Sequence, residues 1–144
     1  MKKFFIALVA LVASVSANAF EFDGIDLNAS SLSITRNISL RGYVNDEATQ
    51  ALKGICQGKE IYLRFNFENV SQKGKLGQLY VDVPQKDSNA LQVVKETFNV
   101  IYHQIDPVNG ATTYLVDSDG TTLSVEANNY GIRYTYTTPY YKAK

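Results

Sequence analysis

The sequence predicts an α+β domain, in which an antiparallel sheet of about six strands has two helices packed on one face. Three observations support this class: an alternating hairpin over residues 60–84, an amphipathic stretch over residues 88–105, and a series of short β-rich segments after it. If residues 88–105 form a strand instead, the alternative is a mainly β sandwich or small barrel with one helix.

The first 19 residues have the three-part pattern of a cleaved secretory signal peptide. Two lysines follow Met1, residues 4–15 are almost wholly apolar, and Ala17, Asn18 and Ala19 form a suitable cleavage site. The apolar run is shorter than the roughly 20 residues of a spanning helix, so the mature chain is not expected to cross a membrane. We expect residues 20–144 to form one globular domain in the periplasm or outside the cell.

The charge of the mature chain argues against nucleic-acid binding. The full sequence has 14 basic and 14 acidic residues, and cleavage after residue 19 removes two lysines and no acid. The remaining formal charge of −2 gives no basic excess that could hold a phosphate backbone.

Three elements are predicted before the hairpin. Residues 25–27 form a short edge strand, and the alternation of residues 31–40 favours a strand that Arg36 interrupts. Asn45 or Asp46 then caps a helix over residues 47–56, in which the apolar residues recur at helical spacing.

The hairpin of residues 60–84 has one apolar and one polar face. Ile61, Leu63, Phe65 and Phe67 alternate with polar neighbours in the first strand, and residues 78–83 alternate in the second. A turn is predicted over residues 70–77, where two glycines allow unusual backbone angles.

Residues 88–105 show apolar and polar stripes at helical spacing, which favours a helix. Their β-branched residues leave open a strand over residues 98–105, paired with residues 112–117. Strands are predicted over residues 112–116, 121–126 and 132–138, separated by turns at residues 117–120 and 127–131. No internal repeat is found in the sequence.

The residues that usually carry chemistry give no catalytic pattern. Cys56 is the only cysteine and is expected to be a buried thiol, with an intermolecular disulfide or a nucleophile paired with His103 as alternatives. Asp117 and Asp119 lack the further ligands of a calcium loop, so a tight turn accounts for them. We therefore predict neither a metal nor a cofactor.

The candidate binding residues lie on two strands of the hairpin and near the C-terminus. The polar face of the hairpin would bring together Tyr62, Arg64, Asn66, Tyr80 and Asp82, although the pattern favours an ordinary solvated sheet face over a binding site. Tyr134 and Tyr136 share a face of a later strand and form either core or an aromatic contact surface.

These observations predict a small exported binding protein that is not an enzyme. Its partner would be a protein, a glycan or a lipid of the cell envelope or the extracellular space. The alternative is a small secreted hydrolase whose carboxylates converge only in the folded chain.

Overall fold

The computed structural model of the protein describes residues 21–70 and 73–142. The predicted signal peptide, residues 1–19, lies outside these residues. Within the described residues, no helix is long and apolar enough to cross a membrane.

The described chain contains two helices and ten strands. The helices are α1 (Ser31–Leu40) and α2 (Ala90–Ile101). The strands are β1 (Glu21–Phe22), β2 (Ile25–Asp26), β3 (Val44–Asp46), β4 (Ala51–Cys56), β5 (Lys59–Val70), β6 (Lys73–Pro84), β7 (His103–Val108), β8 (Ala111–Leu115), β9 (Thr122–Ala127) and β10 (Gly131–Thr137).

The main sheet is antiparallel and has eight strands in the described chain, where about six were predicted. Its order is β3-β4-β5-β6-β10-β9-β8-β7, and β1 and β2 form a separate two-stranded sheet. A helix followed by four consecutive antiparallel strands occurs twice, and the two halves meet where β6 pairs with β10. The fold therefore contains a repeat of architecture that the sequence does not reveal.

The hairpin of β5 and β6 is confirmed, and it is longer than predicted. Strand β6 begins at Lys73, so most of the predicted turn at residues 70–77 belongs to the strand. Asn66 pairs with Gln78 and Phe67 with Leu76, which leaves Gly77 as the extra residue of a β-bulge. A side chain at Gly77 would collide with Glu68, so glycine lets the two strands approach here.

The predicted strand over residues 31–40 is wrong, because these residues form α1. The Ser30 hydroxyl accepts a hydrogen bond from the Ser33 amide at 3.3 Å and caps the helix. Ile34 and Ile38 are buried one turn apart, whereas Leu32 and Leu40 are exposed. Alternation of these four residues misled the prediction, since Ile34 and Ile38 satisfy strand and helix periods equally.

The predicted helix over residues 47–56 is also wrong. Asp46 accepts hydrogen bonds from the amide and hydroxyl of Thr49, at 3.1 and 2.6 Å, and so closes a turn. Gln50 has a φ of 59°, which ends any right-handed helix there. The chain continues as β4, where a side chain at Gly54 would collide with the Tyr43 ring.

The helical prediction for residues 88–105 is confirmed over Ala90–Ile101. The last residues of that stretch belong to β7, which pairs with β8. The strand alternative was therefore correct for these residues alone. Asn109 and Gly110 both have positive φ in the tight turn between β7 and β8.

Buried residues from both helices join one hydrophobic cluster with the sheet. Ile34 and Ile38 of α1 and Val94 and Phe98 of α2 belong to it. The structure has the two predicted helices but does not clearly pack both on one face of the sheet; α1 contacts β2 and β6, and α2 contacts β9.

Candidate binding surface

Four of the predicted binding residues lie together on one face of the central strands. Tyr62 pairs with Asp82 and Arg64 with Tyr80 across β5 and β6. On the other side of β6, Arg133 of β10 pairs with Asp82. We call these five residues, Tyr62, Arg64, Tyr80, Asp82 and Arg133, the Asp82 cluster.

The Asp82 carboxylate joins the three strands of the cluster. It accepts hydrogen bonds from Arg64 Nη1 at 2.9 Å and from Arg133 Nε and Nη2 at 2.7 and 3.1 Å. The Asn128 side-chain amide donates to it at 3.4 Å. Arg64 Nη2 also donates to the Thr49 carbonyl oxygen at 2.6 Å. Both guanidinium groups are therefore held in fixed orientations on the sheet.

The Asp82 cluster has more basic than acidic groups, and an exposed carboxylate beside it, Glu126 of β9, lies opposite Arg133. Two guanidinium groups face one carboxylate, which leaves a formal charge of +1 among these three side chains. Arg64 and Arg133 are 37% and 32% exposed, whereas Asp82 is 13% exposed. The hydrogen bond to Asp82 raises the pKa of Arg133. Within the cluster, the guanidinium groups thus lie nearer the solvent than the Asp82 carboxylate.

The two tyrosines of the cluster also have fixed positions. The Arg133 guanidinium carbon lies 5.2 Å from the centre of the Tyr80 ring, within the range of a cation–π contact. The Tyr80 hydroxyl donates to Gln78 at 2.9 Å, and the Tyr62 hydroxyl donates to Glu60 at 2.7 Å. The bond to Glu60 raises the pKa of Tyr62.

Tyr134 and Tyr136 lie in the core, on the opposite face of β10. Both are 0% exposed, and the Phe98 ring packs edge-on against Tyr134 with centroids 6.1 Å apart. Burial raises the pKa of both hydroxyls. These residues match the core interpretation and do not join the Asp82 cluster. Alternation with these tyrosines places Arg133, which sequence reasoning did not single out, on the outer face of β10, and the pairing of β10 with β6 brings it beside Asp82.

A second surface feature lies at one edge of β5. Strand β4 pairs with β5 only as far as Leu63, which faces Leu52. Next to the remaining part of β5 is a cavity of about 420 Å³, lined by Thr35 and Ile38 of α1, Leu52 of β4, and Phe65 and Phe67. We call this cavity the β5 groove. The Phe65 and Phe67 rings stack with centroids 5.7 Å apart.

Another cavity, of about 510 Å³, brings two carboxylates near β3 and β4. Asp46 is engaged by Thr49, and this hydrogen bond lowers its pKa. Glu60 accepts from Tyr62 and lies 3.6 Å from Lys53 Nζ. A general acid needs a raised pKa, so the geometry does not equip Asp46 for that role.

Cys56 and His103 do not form a pair. Cys56 lies on β4 and His103 on β7, near opposite edges of the sheet. Cys56 is a free, buried thiol whose pKa burial raises to about 12, the opposite of what a nucleophile requires. Among the residues that the structure describes, no group of three or more His, Cys, Asp or Glu side chains could hold a metal ion.

Comparisons with known proteins give no relative for this chain. No protein-family model matches it, and neither the curated proteins nor the solved structures contain a match. The proposals below therefore rest on the sequence and on the geometry described above.

Proposed function

We propose that the mature chain is a small exported protein that binds a partner in the cell envelope or extracellular space and is not an enzyme. The observation that carries this proposal is the Asp82 cluster. Two tyrosines and two arginines are held on one sheet face, and a single carboxylate fixes both arginines.

The composition of the cluster suits recognition. Tyrosine and arginine are over-represented among the residues that supply most of the free energy at protein interfaces. Tyrosine offers a large contact area at a small cost in side-chain entropy. Arg64 and Arg133 are already oriented by Asp82, so little further ordering is needed on binding. Regular strands carry all five residues, which adds to this rigidity.

The guanidinium donors of the cluster favour a partner with hydrogen-bond acceptors. The two guanidinium groups exceed the single carboxylate by one charge, and each guanidinium has five N–H donors. Arg64 uses donors towards Asp82 and Thr49, and Arg133 directs two at Asp82. Acidic protein side chains, glycan hydroxyls and lipid headgroups all provide acceptors for the others, while the Tyr62 and Tyr80 rings offer apolar contact.

The test compares two double variants of the mature protein with the wild type. Arg64→Ala with Tyr80→Ala removes contacts of the cluster. Gln92→Ala with Glu96→Ala changes an exposed side-chain pair of α2, which lies outside the cluster and serves as the matched control. Circular dichroism first establishes that all three proteins are folded.

Each immobilised protein is then incubated with envelope extract and with culture medium, and the retained proteins, glycans and lipids are quantified by mass spectrometry. We expect the wild type and the control to retain the same species, with retention falling at least about tenfold for the cluster variant. Equal retention by all three proteins would contradict the proposal, as would substrate turnover with no partner retained.

A further inference from the structure

We propose that the free edge of β5 pairs with the same edge of a second copy, so that two chains form a two-fold symmetric dimer through one continuous antiparallel sheet. This inference goes beyond the proposed function and does not depend on it, since the Asp82 cluster lies on the face of the sheet and the pairing uses its edge.

The edge arises because β4 is shorter than β5. Strand β4 begins at Ala51, and its pairing with β5 reaches only Leu52 and Leu63. Residues 64–70 pair with β6 on their other side. Backbone groups along such an edge are a template for another strand, and proteins usually cover or shorten these edges. Among the described residues, no strand pairs with this side of residues 65–70, which are half of the 12-residue strand.

The strand lengths and the charge of Glu68 select one register. The register of β4 with β5 continues with Ala51, the first residue of β4, beside Arg64, so the open edge begins at Phe65. In an antiparallel pairing centred on Phe67, Phe65 lies opposite Asn69 of the second copy, and residues 65–69 pair without meeting β4. Centred on Asn66, the pairing would place Asn69 of the second copy beside Leu63, where Leu52 already lies. Centred on Glu68, it would place the two Glu68 carboxylates opposite each other.

The side chains of this register complement themselves. Phe67 lies opposite its own copy and is half-buried in the β5 groove, so pairing would cover apolar surface. Leu32, which is 68% exposed, lies one turn before the groove residue Thr35 on α1 and adds to this surface.

On the polar face, Asn66 lies opposite Glu68 of the second copy. The Glu68 carboxylate accepts the Lys142 amide at 2.9 Å and keeps further acceptor capacity. It would also approach the Arg64 guanidinium of the Asp82 cluster, which lies diagonally across the pairing. Charge and apolar contacts thus both favour a second copy as the occupant of the edge.

The dimer would present two Asp82 clusters on the same side. A two-fold axis through Phe67 that is perpendicular to the sheet leaves each face of the sheet on its original side. A partner with repeated groups would then be bound by both clusters at once, which strengthens overall binding without a new contact.

Matched variants at the exposed Asn66 test the proposal. In the register centred on Phe67, Asn66→Lys faces Glu68 of the other copy, whereas Asn66→Glu faces it with like charge. The interface contains this pair twice. Analytical ultracentrifugation of the mature protein should show a wild-type dimer, and the dissociation constant should rise about tenfold for Asn66→Glu and fall for Asn66→Lys.

Phe67→Cys gives a second measurement of the register. Oxidation should link two chains through residue 67, whereas the wild type should stay unlinked because Cys56 is 1% exposed. A wild type that stays monomeric at every concentration would overturn the proposal. Binding of an extended peptide at the β5 edge by such a monomer would overturn it as well. If both Asn66 variants weaken the dimer, the register is overturned. That result would indicate a pairing centred on residue 66, in which each substituted residue faces its own copy with like charge.

Discussion

The two halves of β5 share a face and an alternating pattern but differ in burial. Ile61 and Leu63 are 0% exposed in the half that β4 covers, whereas Phe65 and Phe67 are only partly buried in the half beyond it. The difference does not come from the strand itself, since the later residues are larger and equally apolar. Alternation determines which face a side chain occupies, and the length of the neighbouring strand determines how far it is buried.

The largest expected effect is a difference in unfolding free energy between variants in the two halves of β5. Leu63→Ala should lower the free energy of unfolding by about 3 kcal/mol, because it truncates a fully buried side chain. Phe67→Ala removes a larger side chain, yet we expect a loss of only about 1 kcal/mol, because solvent already reaches the groove. Urea unfolding of dilute protein measures both. Equal losses would show that the two halves of β5 are equally covered.

A smaller effect should arise on the polar side of the same strand. Asp82→Ala leaves Arg64 and Arg133 without their shared acceptor and should lower the free energy of unfolding by about 2 kcal/mol. Glu126→Ala, which changes an exposed carboxylate opposite Arg133 on β9, is the control and should change it by less than about 0.5 kcal/mol. If the two losses are equal, Asp82 does not hold the cluster together.

The smallest expected effect is on the pH dependence of stability at alkaline pH. It involves Cys56, which pairs with Lys59 in the covered half of β5. Burial raises the pKa of this thiol from its usual 9.0 to about 12, so the folded state resists an ionisation that the unfolded chain undergoes. Its contribution to stability is complete below pH 9 and should fall as the pH rises from 9 towards 12.

Cys56→Ala should flatten the first part of this decline, between about pH 9 and 10, before the buried tyrosines begin to contribute. Denaturant unfolding at a series of pH values measures the slope for both proteins. An unchanged slope in the variant would contradict the assignment of this decline to Cys56.

Local patterns were enough to predict the elements with a single consistent period. The β5–β6 hairpin and the strands β8, β9 and β10 combine alternation with turn residues, and the structure confirms them. The predictions of a strand over residues 31–40 and a helix over residues 47–56 were both wrong, because two apolar residues four apart fit the periods of a helix and of a strand. Ser30 as a cap and the positive φ of Gln50 decided between them, and neither is evident from periodicity.

The candidate surface was predictable only in part. Alternation along β5 and β6 placed Tyr62, Arg64, Tyr80 and Asp82 on one face, as the structure shows. The contribution of Arg133 depends on the pairing of β6 with β10, which are far apart in sequence. The β5 groove depends on where β4 begins, so no pattern within β5 could have revealed it.

Hydrogen exchange along β5 tests the central claim, that half of this strand has an open edge. In dilute protein, amides of residues 59–63 should be protected throughout, whereas alternate amides of residues 65–70, those directed at the open edge, should exchange rapidly. These amides should become protected as the concentration rises and the edges pair. Uniform protection along β5 in dilute protein would contradict the account.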